Sequence, residues 1–300
     1  MPSPLPELHL HLDGSLRPST LRGLAAAART TVPEDLLFFQ GMGLGAALSR
    51  FGFTLSLLQF PAAIARVAGE ICDDARAEGV STLEIRFAPQ LHRGASSAAI
   101  VDAALEGIAG RAGLILCGLF GEPPEILDGL VELAAQRRGV VGVDLAGGPA
   151  SSHVFRLEDY QAPFAKARRL GLGRTVHAAE GRSPEEIKTA INLLFAERLG
   201  HATTLLDDPA ALALVLENNV LIEACPTSNL HTGVIAKPED HPLPKWLSAG
   251  VRATVCSDNT LLSATTTREE HERALRIPGM SSALLARAIE YGHAGAFHRE

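Results

Sequence analysis

The amino-acid sequence predicts an α/β fold of the (β/α)8, or TIM barrel, class, and two observations support this assignment. Short apolar runs rich in β-branched residues alternate along the chain with longer segments of helical periodicity. Strands that alternate with helices indicate parallel pairing with crossover connections. Eight such units in a chain of 300 residues fit the size of one barrel. An open, doubly wound sheet is the alternative that this pattern leaves.

The predicted elements follow one another in a regular order. Predicted strands cover residues 8–12, 82–88, 114–120, 140–146, 175–178, 198–201, 220–224 and 253–256. Amphipathic stretches at 98–112, 126–137, 159–170 and 209–217 lie between them. Ser183 before Pro184 is typical of a helix start, and so is Asp208 before Pro209.

The connection after the first predicted strand is unusually long. It covers residues 17–79 and contains helical stretches at 20–29, 44–60 and 62–77. In a barrel, an insertion after a strand lies over the C-terminal mouth, where it can cover a substrate. No linker or low-complexity tract divides the chain, so we expect one domain over residues 1–300 with residues 17–79 as its helical lid.

Composition argues against several classes of function. Hydrophobic residues make up 46% of the chain and charged residues 20%, which is typical of a soluble globular protein. The net charge of −7 gives no sign of a nucleic-acid surface, and no apolar run reaches membrane-spanning length. The four cysteines lack CxxC spacing, which favours buried free thiols in a reducing compartment. We therefore expect a cytoplasmic protein without nucleic-acid or membrane partners, while its oligomeric state stays open.

Residues 7–14 read ELHLHLDG, the most informative stretch of the chain. Side chains on an extended strand alternate between faces, so His9, His11 and Asp13 are expected on the same face. Two imidazoles two residues apart can bind one metal ion from a single strand. A half-buried strand with two solvent-facing histidines fits this stretch equally well, and the remaining strands must decide.

Polar residues recur where the predicted strands end, and in a barrel these ends converge on one mouth. They lie at residues 144–148, 177–180, 200–201, 225–229 and 257–259. Three histidines and one carboxylate from separate strands can hold zinc and leave a position for water, whose pKa zinc lowers to about 7. Glu180 is placed to transfer protons beside such a metal, and His201 to steer the attacking water.

These motifs resemble those of the adenosine deaminase family of metal-dependent hydrolases. Residues 8–16 (LHLHLDGSL) are similar to the family's opening signature, and residues 84–89 (EIRFAP) to its second-strand motif. The stretches 144–147 (DLAG), 177–180 (HAAE), 199–201 (LGH), 225–229 (CPTSN) and 257–259 (SDN) follow in the family's order. The resemblance extends from residue 5 to about residue 270.

The resemblance implies a zinc-dependent deamination and a role for each residue. The ligands of a single zinc ion would be His9, His11, His177 and Asp258. Glu180 would protonate N1 of a 6-aminopurine while hydroxide attacks C6, and His201 would orient the hydroxide. Asp13 would contact a sugar hydroxyl, the N–H of Gly147 would face N3, and Asn259 would contact N7. Adenosine would yield inosine and ammonia.

Four residues depart from the family's usual pattern. Asn259 stands where most members have aspartate, but an amide donates to N7 without a pKa shift, so deamination is still expected. Ala179 and Ala202 replace glycines, and each adds a methyl group near the site. Pro149, after the glycine turn, removes a backbone donor. We expect these last three changes to reshape the pocket, so that the preferred substrate differs from plain adenosine.

The leading interpretation is therefore a zinc-dependent aminohydrolase that acts on adenosine or a closely related 6-aminopurine nucleoside. Deamination of free adenine, or of a modified adenosine such as aminofutalosine, is the alternative within this class. A metal-binding barrel without turnover is the alternative from another class, and the acid Glu180 argues against it. A phosphorylated substrate is disfavoured, because no cluster of Arg and Lys lies near the strand ends.

Overall fold

A computed structural model describes residues 4–297, in which eight strands form a parallel sheet in sequence order. The strands are β1 (Leu5–His11), β2 (Val80–Phe87), β3 (Gly113–Leu119), β4 (Val140–Ala146), β5 (Gly173–Ala178), β6 (Arg198–His201), β7 (Leu221–Ala224) and β8 (Arg252–Val255). All eight predicted strands are confirmed. The bounds of β4 and β6 agree with the prediction, and those of the others differ by at most three residues.

The two edge strands of this sheet meet, which closes it into a barrel. Leu10 forms an isolated parallel bridge with Asp258, just beyond the end of β8. The N–H of Asp258 donates to the carbonyl of His9 at 2.9 Å, and the N–H of His11 donates to the carbonyl of Asp258 at 2.8 Å. The barrel class is therefore confirmed, and the open doubly wound sheet is not found.

Helices connect the strands on the outside of the barrel. They are α1 (Pro18–Ala27), α2 (Leu44–Leu57), α3 (Pro61–Ala77), α4 (Ser97–Ile108), α5 (Pro124–Ala135), α6 (Gln161–Arg169), α7 (Glu185–Asn192), α8 (Pro209–Glu217), α9 (Pro226–His231), α10 (Leu243–Ser248), α11 (Thr267–Leu275) and α12 (Ser282–Gly295). The side chain of Asp208 caps α8 by accepting the N–H of Ala210 at 2.8 Å, as its sequence signal predicts. Ser183 accepts the N–H of Glu185 at 3.2 Å, so α7 begins one residue later than its proline.

The long connection after β1 divides into two parts. The helix α3 packs against β2 and α4, in the position of the helix that links the first two strands of a barrel. The helix α2 instead packs on the 3-10 turn Leu12–Gly14 that follows β1, at the C-terminal mouth. Within residues 4–297 no helix is by itself long and apolar enough to cross a membrane, although α2 and α3, bent by 117° at their junction, pass that test of length and composition as a pair.

The interior of the barrel combines apolar packing with buried charge. The four cysteines are free and buried, as predicted. Glu84, Arg86, Arg198 and Glu223 are buried on the strands, with exposures of 0–1%. Buried charges of this kind require partners, and these four pair with one another and with groups beneath the mouth of the barrel.

Candidate metal centre and active site

A cavity of about 310 Å³ opens at the C-terminal mouth of the barrel. Eight of the nine site residues predicted from the sequence line it, namely His11, Asp13, Gly147, His177, Glu180, His201, Asp258 and Asn259. The ninth, His9, is fully buried in the floor, with its ring centroid 4.6 Å from that of His177 and 5.1 Å from that of His201. The strand ends therefore bring the whole predicted set together.

Donor atoms of four of these residues lie close to one another. The Nε2 atom of His11 lies 3.3 Å from Nε2 of His177 and 3.5 Å from Oδ1 of Asp258. The Nε2 atom of His9 lies 3.8 Å from the same carboxylate oxygen. Ligands held about 2.0–2.2 Å from a tetrahedral zinc ion lie roughly 3.3–3.6 Å from one another, so these separations suit a metal.

The burial of His9 supports the same interpretation. Its Nε2 atom is inaccessible to solvent and has no hydrogen-bond partner in the described part of the chain. Burial lowers the pKa of His9 and that of His11 well below the ordinary histidine value, so both are neutral and offer lone pairs. A buried nitrogen without a partner is costly, and a cation at the focus of the cluster satisfies it. The residues present therefore fit a zinc ion.

Two further sets of donors meet at the cluster. In one, ligand atoms of His9, His177 and His201 lie within 4.8 Å of one another, and in the other those of His9, Cys225 and Asp258 do. Cys225 packs in an apolar group with Leu8 and Cys256, and its thiol donates to the carbonyl of Glu223 at 3.8 Å. His201 differs from His9 and His177 in the group that its Nδ1 atom contacts.

The second ring nitrogens of His9 and His177 face buried carboxylates. Nδ1 of His9 lies 2.7 Å from Oε2 of Glu223, and Nδ1 of His177 lies 3.1 Å from Oδ2 of Asp144. Metal-binding histidines usually donate this N–H to a carboxylate, which fixes the ring and aims Nε2 at the metal. Nδ1 of His201 instead lies 3.1 Å from the side-chain nitrogen of Asn229. This contrast separates His201 from the histidines that fit as ligands.

A buried arginine joins the two carboxylates. Arg86 donates from Nη1 to Asp144 at 2.9 Å and from Nη2 to Glu223 at 2.8 Å. Arg198 forms ion pairs with two carboxylates, with Nε 2.7 Å from Oε1 of Glu223 and Nη1 2.6 Å from Oε2 of Glu84. Burial alone would raise the pKa of Asp144, but the charges of His177 and Arg86 hold it below its usual value. The Asp144 carboxylate beneath His177 is therefore ionised.

Glu180 lies on the wall of the cavity and is held by two neighbours on or beside α9. The hydroxyl of Thr232 donates to Oε1 at 2.9 Å, and Asn229 donates to the same oxygen at 3.4 Å. Nδ1 of His201 lies 4.0 Å from this oxygen. Burial raises the pKa of Glu180, but His201, Arg182 and the Thr232 hydroxyl oppose it, and the net shift is downward. Glu180 is therefore a carboxylate that can accept a proton from a group in the cavity.

The predicted position of Asp13 on the first strand is wrong. The strand β1 ends at His11, and Asp13 lies on the 3-10 turn Leu12–Gly14, because the chain bends there beneath α2. Its carboxylate still reaches the cavity, where Oδ1 has no hydrogen-bond partner among the described residues. Burial raises the pKa of Asp13 to about 7. Gly14 leaves the space that Asn259 occupies, since a Cβ atom there would lie 2.1 Å from its Oδ1 atom.

The change in substrate preference expected from Ala179, Ala202 and Pro149 stays a prediction, but the two alanines do not narrow the pocket directly. Both residues are buried, and neither is on the cavity wall. They adopt left-handed backbone conformations, with φ of 54° and 47°. Glycine adopts this region without a steric penalty, so alanine affects backbone energy here and not pocket volume. Pro149 is exposed on the loop that follows β4.

The outer wall of the cavity is apolar. Residues before and within α2 supply much of it, including Phe38, Leu44, Ala47, Leu48, Phe51 and Leu55. Gly147, with φ of 79°, and His153 line it from the loop after β4. No arginine or lysine is among the residues lining this cavity between residues 4 and 297. The cavity therefore suits a ligand without a phosphate group.

Comparison with known proteins agrees with this site. A family model described as adenosine deaminase matches residues 4–300 of the chain. The chain belongs to the adenosine deaminase family. A curated member of that name from Enterococcus faecalis is 33% identical over 310 residues, covering 97% of this chain and 91% of the relative. Membership of this family makes the chain a hydrolytic deaminase, and the non-catalytic barrel is set aside.

Solved structures of deaminases share the fold. An Arabidopsis N6-mAMP deaminase matches with a TM-score of 0.89 at 25% identity, covering 99% of this chain and 94% of that one. An adenine deaminase from Arthrobacter aurescens matches with a TM-score of 0.88 at 23% identity, covering 99% of this chain and 95% of that one. The second likeness shows the fold alone.

Sequence reasoning missed several residues of this adenosine deaminase family site. Glu223 is in the middle of β7, and Thr232 follows α9, outside every motif used to locate the site. Asn229 and Asp144 were within quoted motifs, but their contacts with His201 and His177 were not foreseen. Glu223 could have been found from the sequence, because it is a charged residue on an otherwise apolar barrel strand.

Proposed function

We propose that this chain catalyses the hydrolytic deamination of adenosine, or of a closely related 6-aminopurine nucleoside, with one zinc ion. The observation that carries the proposal is the juxtaposition of an acid with the donor cluster. Glu180 lines the same cavity as His11, His177 and Asp258. A protein that only binds metal has no need of a carboxylate at this place. The family to which the chain belongs supports the same reaction.

We assign the zinc ligands to His9, His11, His177 and Asp258. The donor atom of His11 lies 3.3 Å from that of His177 and 3.5 Å from that of Asp258, and the donor atom of His9 lies 3.8 Å from that of Asp258. Bound zinc lowers the pKa of water to about 7 and so makes a nucleophile available at neutral pH. Glu223 and Asp144 orient His9 and His177 for this task.

The protein's own groups bind the purine and move its protons. Glu180 takes a proton from the attacking water and delivers it to N1 of the purine, which weakens the aromatic ring and prepares C6 for addition of the water oxygen. The C6–N bond then breaks, and the 6-amino group leaves as ammonia. His201 donates a hydrogen bond to the oxygen that adds to C6. The side chain of Asn259 packs over Gly14 on the cavity wall, and its amide N–H would donate to N7. The N–H of Gly147 faces N3, and Asp13 accepts a hydrogen bond from a sugar hydroxyl.

The substrate is a nucleoside and not a nucleotide in this proposal. The apolar outer wall and the lack of cationic side chains lining the described cavity disfavour a phosphate. We propose one domain over residues 1–300. Of the lid predicted over residues 17–79, α2 and the segment before it line the cavity, whereas α3 packs against β2 and α4 and is not part of a lid. The partners are small molecules, and the protein acts in the cytoplasm.

The absorbance change that accompanies conversion of a 6-aminopurine to its 6-oxo product tests the proposal. The wild-type protein is expected to convert adenosine, and Glu180→Gln to be slower by about 10²-fold or more. Metal analysis of the same samples should find one zinc per chain in both proteins, because Glu180 is not a ligand. Failure to convert any of adenosine, deoxyadenosine, adenine or N6-modified adenosines would contradict the proposal.

A further inference from the structure

A chain of buried hydrogen bonds runs from the backbone of α10 to His201. The N–H of Leu243 lies 3.2 Å from Nδ1 of His241, and Nε2 of His241 lies 3.3 Å from Oδ1 of Asn229. The amide nitrogen of Asn229 then lies 3.1 Å from Nδ1 of His201. All three side chains are nearly inaccessible, at 2% exposure or less for His241, Asn229 and His201.

The direction of this chain is fixed at its backbone end. A backbone N–H can only donate, so Nδ1 of His241 must be the acceptor and carry no proton. The proton of neutral His241 is then on Nε2, which donates to Oδ1 of Asn229. That contact sets the orientation of the amide, because the other end of the Asn229 side chain is left to donate to Nδ1 of His201.

This hydrogen-bond chain determines which ring nitrogen of His201 is protonated in the catalytic cavity. Because Nδ1 of His201 accepts a hydrogen bond, the proton of its neutral ring is on Nε2. We propose that His241, which lies outside the catalytic cavity, is a positioning residue that fixes the tautomer of His201 through Asn229, so that His201 presents Nε2–H to the reacting oxygen. This inference rests on the proposed function for the role of that N–H, while the tautomer itself follows from the contacts alone.

The surroundings of His241 hold it in place for this role. Its ring makes an edge contact with the indole of Trp246, with centroids 5.6 Å apart. Burial lowers its pKa to about 3. The hydrogen-bond chain therefore does not reverse by protonation near neutral pH. Asn229 also donates to Glu180 at 3.4 Å, so one amide orientation serves both groups in the cavity.

Three substitutions separate a positioning role from a structural one. His241→Phe keeps a ring against Trp246 but removes both nitrogens, so the amide of Asn229 loses the donor to its oxygen and is oriented only by its weaker contact with Glu180. His241→Gln retains an oxygen that can accept from Leu243 and an N–H that can donate to Asn229, and it serves as the rescue. Asn229→Asp has the shape of the original side chain but only acceptors, so it forces the proton of His201 onto Nδ1.

The first measurement is ¹⁵N NMR of histidine-labelled protein with assigned His201 signals, which distinguishes protonated from unprotonated ring nitrogens without turnover. We expect His201 to be protonated at Nε2 in the wild type and in His241→Gln. In His241→Phe the two forms should mix, and in Asn229→Asp the proton should lie on Nδ1. A His201 that keeps the same tautomer in Asn229→Asp, or that is protonated at Nδ1 in the wild type, overturns the proposal.

The second measurement is steady-state deamination with zinc content and melting temperature recorded for every sample. We expect kcat to fall about 10- to 100-fold in His241→Phe and about 10²-fold or more in Asn229→Asp, with KM nearly unchanged, since an inverted tautomer removes a catalytic donor. His241→Gln should restore most of kcat. His92→Phe, a buried histidine that donates to Leu58 away from the cavity, is the matched control for volume and burial.

The outcomes separate the two proposals. A wild type that converts no aminopurine overturns the proposed function, whereas the NMR result still decides the tautomer. Equal loss of kcat in His241→Gln and His241→Phe, or full activity in both, overturns the positioning role. If His241→Phe fails to fold, Asn229→Asp and His241→Gln provide the same two comparisons.

Discussion

The imidazole of His9 and the carboxylate of Glu223 form a fully buried pair, with Nδ1 and Oε2 2.7 Å apart and both side chains at 0% exposure. The two residues lie 214 positions apart, on β1 and β7. Glu223 also accepts hydrogen bonds from Arg86 and from the hydroxyl of Thr175, and it forms an ion pair with Arg198. One carboxylate therefore supports a proposed metal ligand and neutralises two buried arginines.

Glu223→Gln should weaken both metal binding and the fold. Loss of an outer carboxylate from a metal-binding histidine typically costs 10- to 100-fold in metal affinity. Removal of one partner from a buried ion pair also costs about 3–5 kcal/mol, because Arg86 and Arg198 stay buried. Zinc retention against a competing chelator and urea unfolding measure the two effects. Glu132→Gln, which alters an exposed pair with Lys166, is the control and should change neither. Unchanged zinc retention in Glu223→Gln would contradict the role of the pair.

The sequence was sufficient to place the barrel and most of the site, because both depend on local patterns. Apolar runs of strand length located all eight strands, and polar residues at their ends located the cavity. Glu223 and His241 escaped detection because their contacts join distant parts of the chain. Sequence periodicity does not predict which carboxylate contacts which histidine when the two lie on different strands.

Backbone conformation is the other feature that side-chain patterns did not reveal. Alternation placed Asp13 on the first strand, but the chain leaves the strand at Leu12 and turns. The effect of Ala179 and Ala202 was misjudged for the same reason. Their identity suggested lost space, whereas their positive φ shows that the cost lies in the main chain.

Gly14→Ala should impair catalysis without removing the metal. The added Cβ would lie 2.1 Å from Oδ1 of Asn259, so that side chain must move from its place on the cavity wall. Loss of one neutral hydrogen bond to N7 predicts a fall of about tenfold in kcat/KM, with zinc content unchanged. Gly52→Ala is the matched control, since nothing lies within 4 Å of its new methyl group within α2. Combining Gly14→Ala with Asn259→Ala should add little to either, and a fully additive loss would show that the two act separately.

Ala179→Gly and Ala202→Gly should stabilise the protein and leave substrate preference unchanged. Relief of left-handed strain stabilises the folded state by about 1–2 kcal/mol. The greater conformational freedom of glycine in the unfolded chain lowers the stability again by about 0.4–1 kcal/mol. Each change should therefore raise the free energy of unfolding by roughly 0.5–1 kcal/mol. Ala26→Gly, on the exposed face of α1, is the control and should lose about 1 kcal/mol. If either variant changed the ratio of activity toward adenosine and adenine, the two alanines would influence substrate preference, against this prediction.

Stability should decrease with falling pH through His271, a buried residue of α11. Burial lowers its pKa to about 4, while the carbonyl of Thr267 accepts from Nδ1 at 2.9 Å. The unfolded chain takes up this proton near pH 6.5, but the folded protein does so only near pH 4. Acid therefore favours the unfolded state between these values. The contribution is fully present above pH 6.5 and falls by about 1.4 kcal/mol per pH unit, or roughly 3 kcal/mol in all.

Urea unfolding of wild type and His271→Leu at pH 7, 6, 5 and 4 measures this contribution, because other titrating groups are shared and their effects cancel in the difference. The leucine variant should lose roughly 3 kcal/mol less stability than the wild type as the pH falls across this range. The comparison starts at pH 7, where the difference between the two proteins reports packing alone. Parallel pH profiles would mean that His271 titrates alike in the folded and unfolded chains, against its burial on α11.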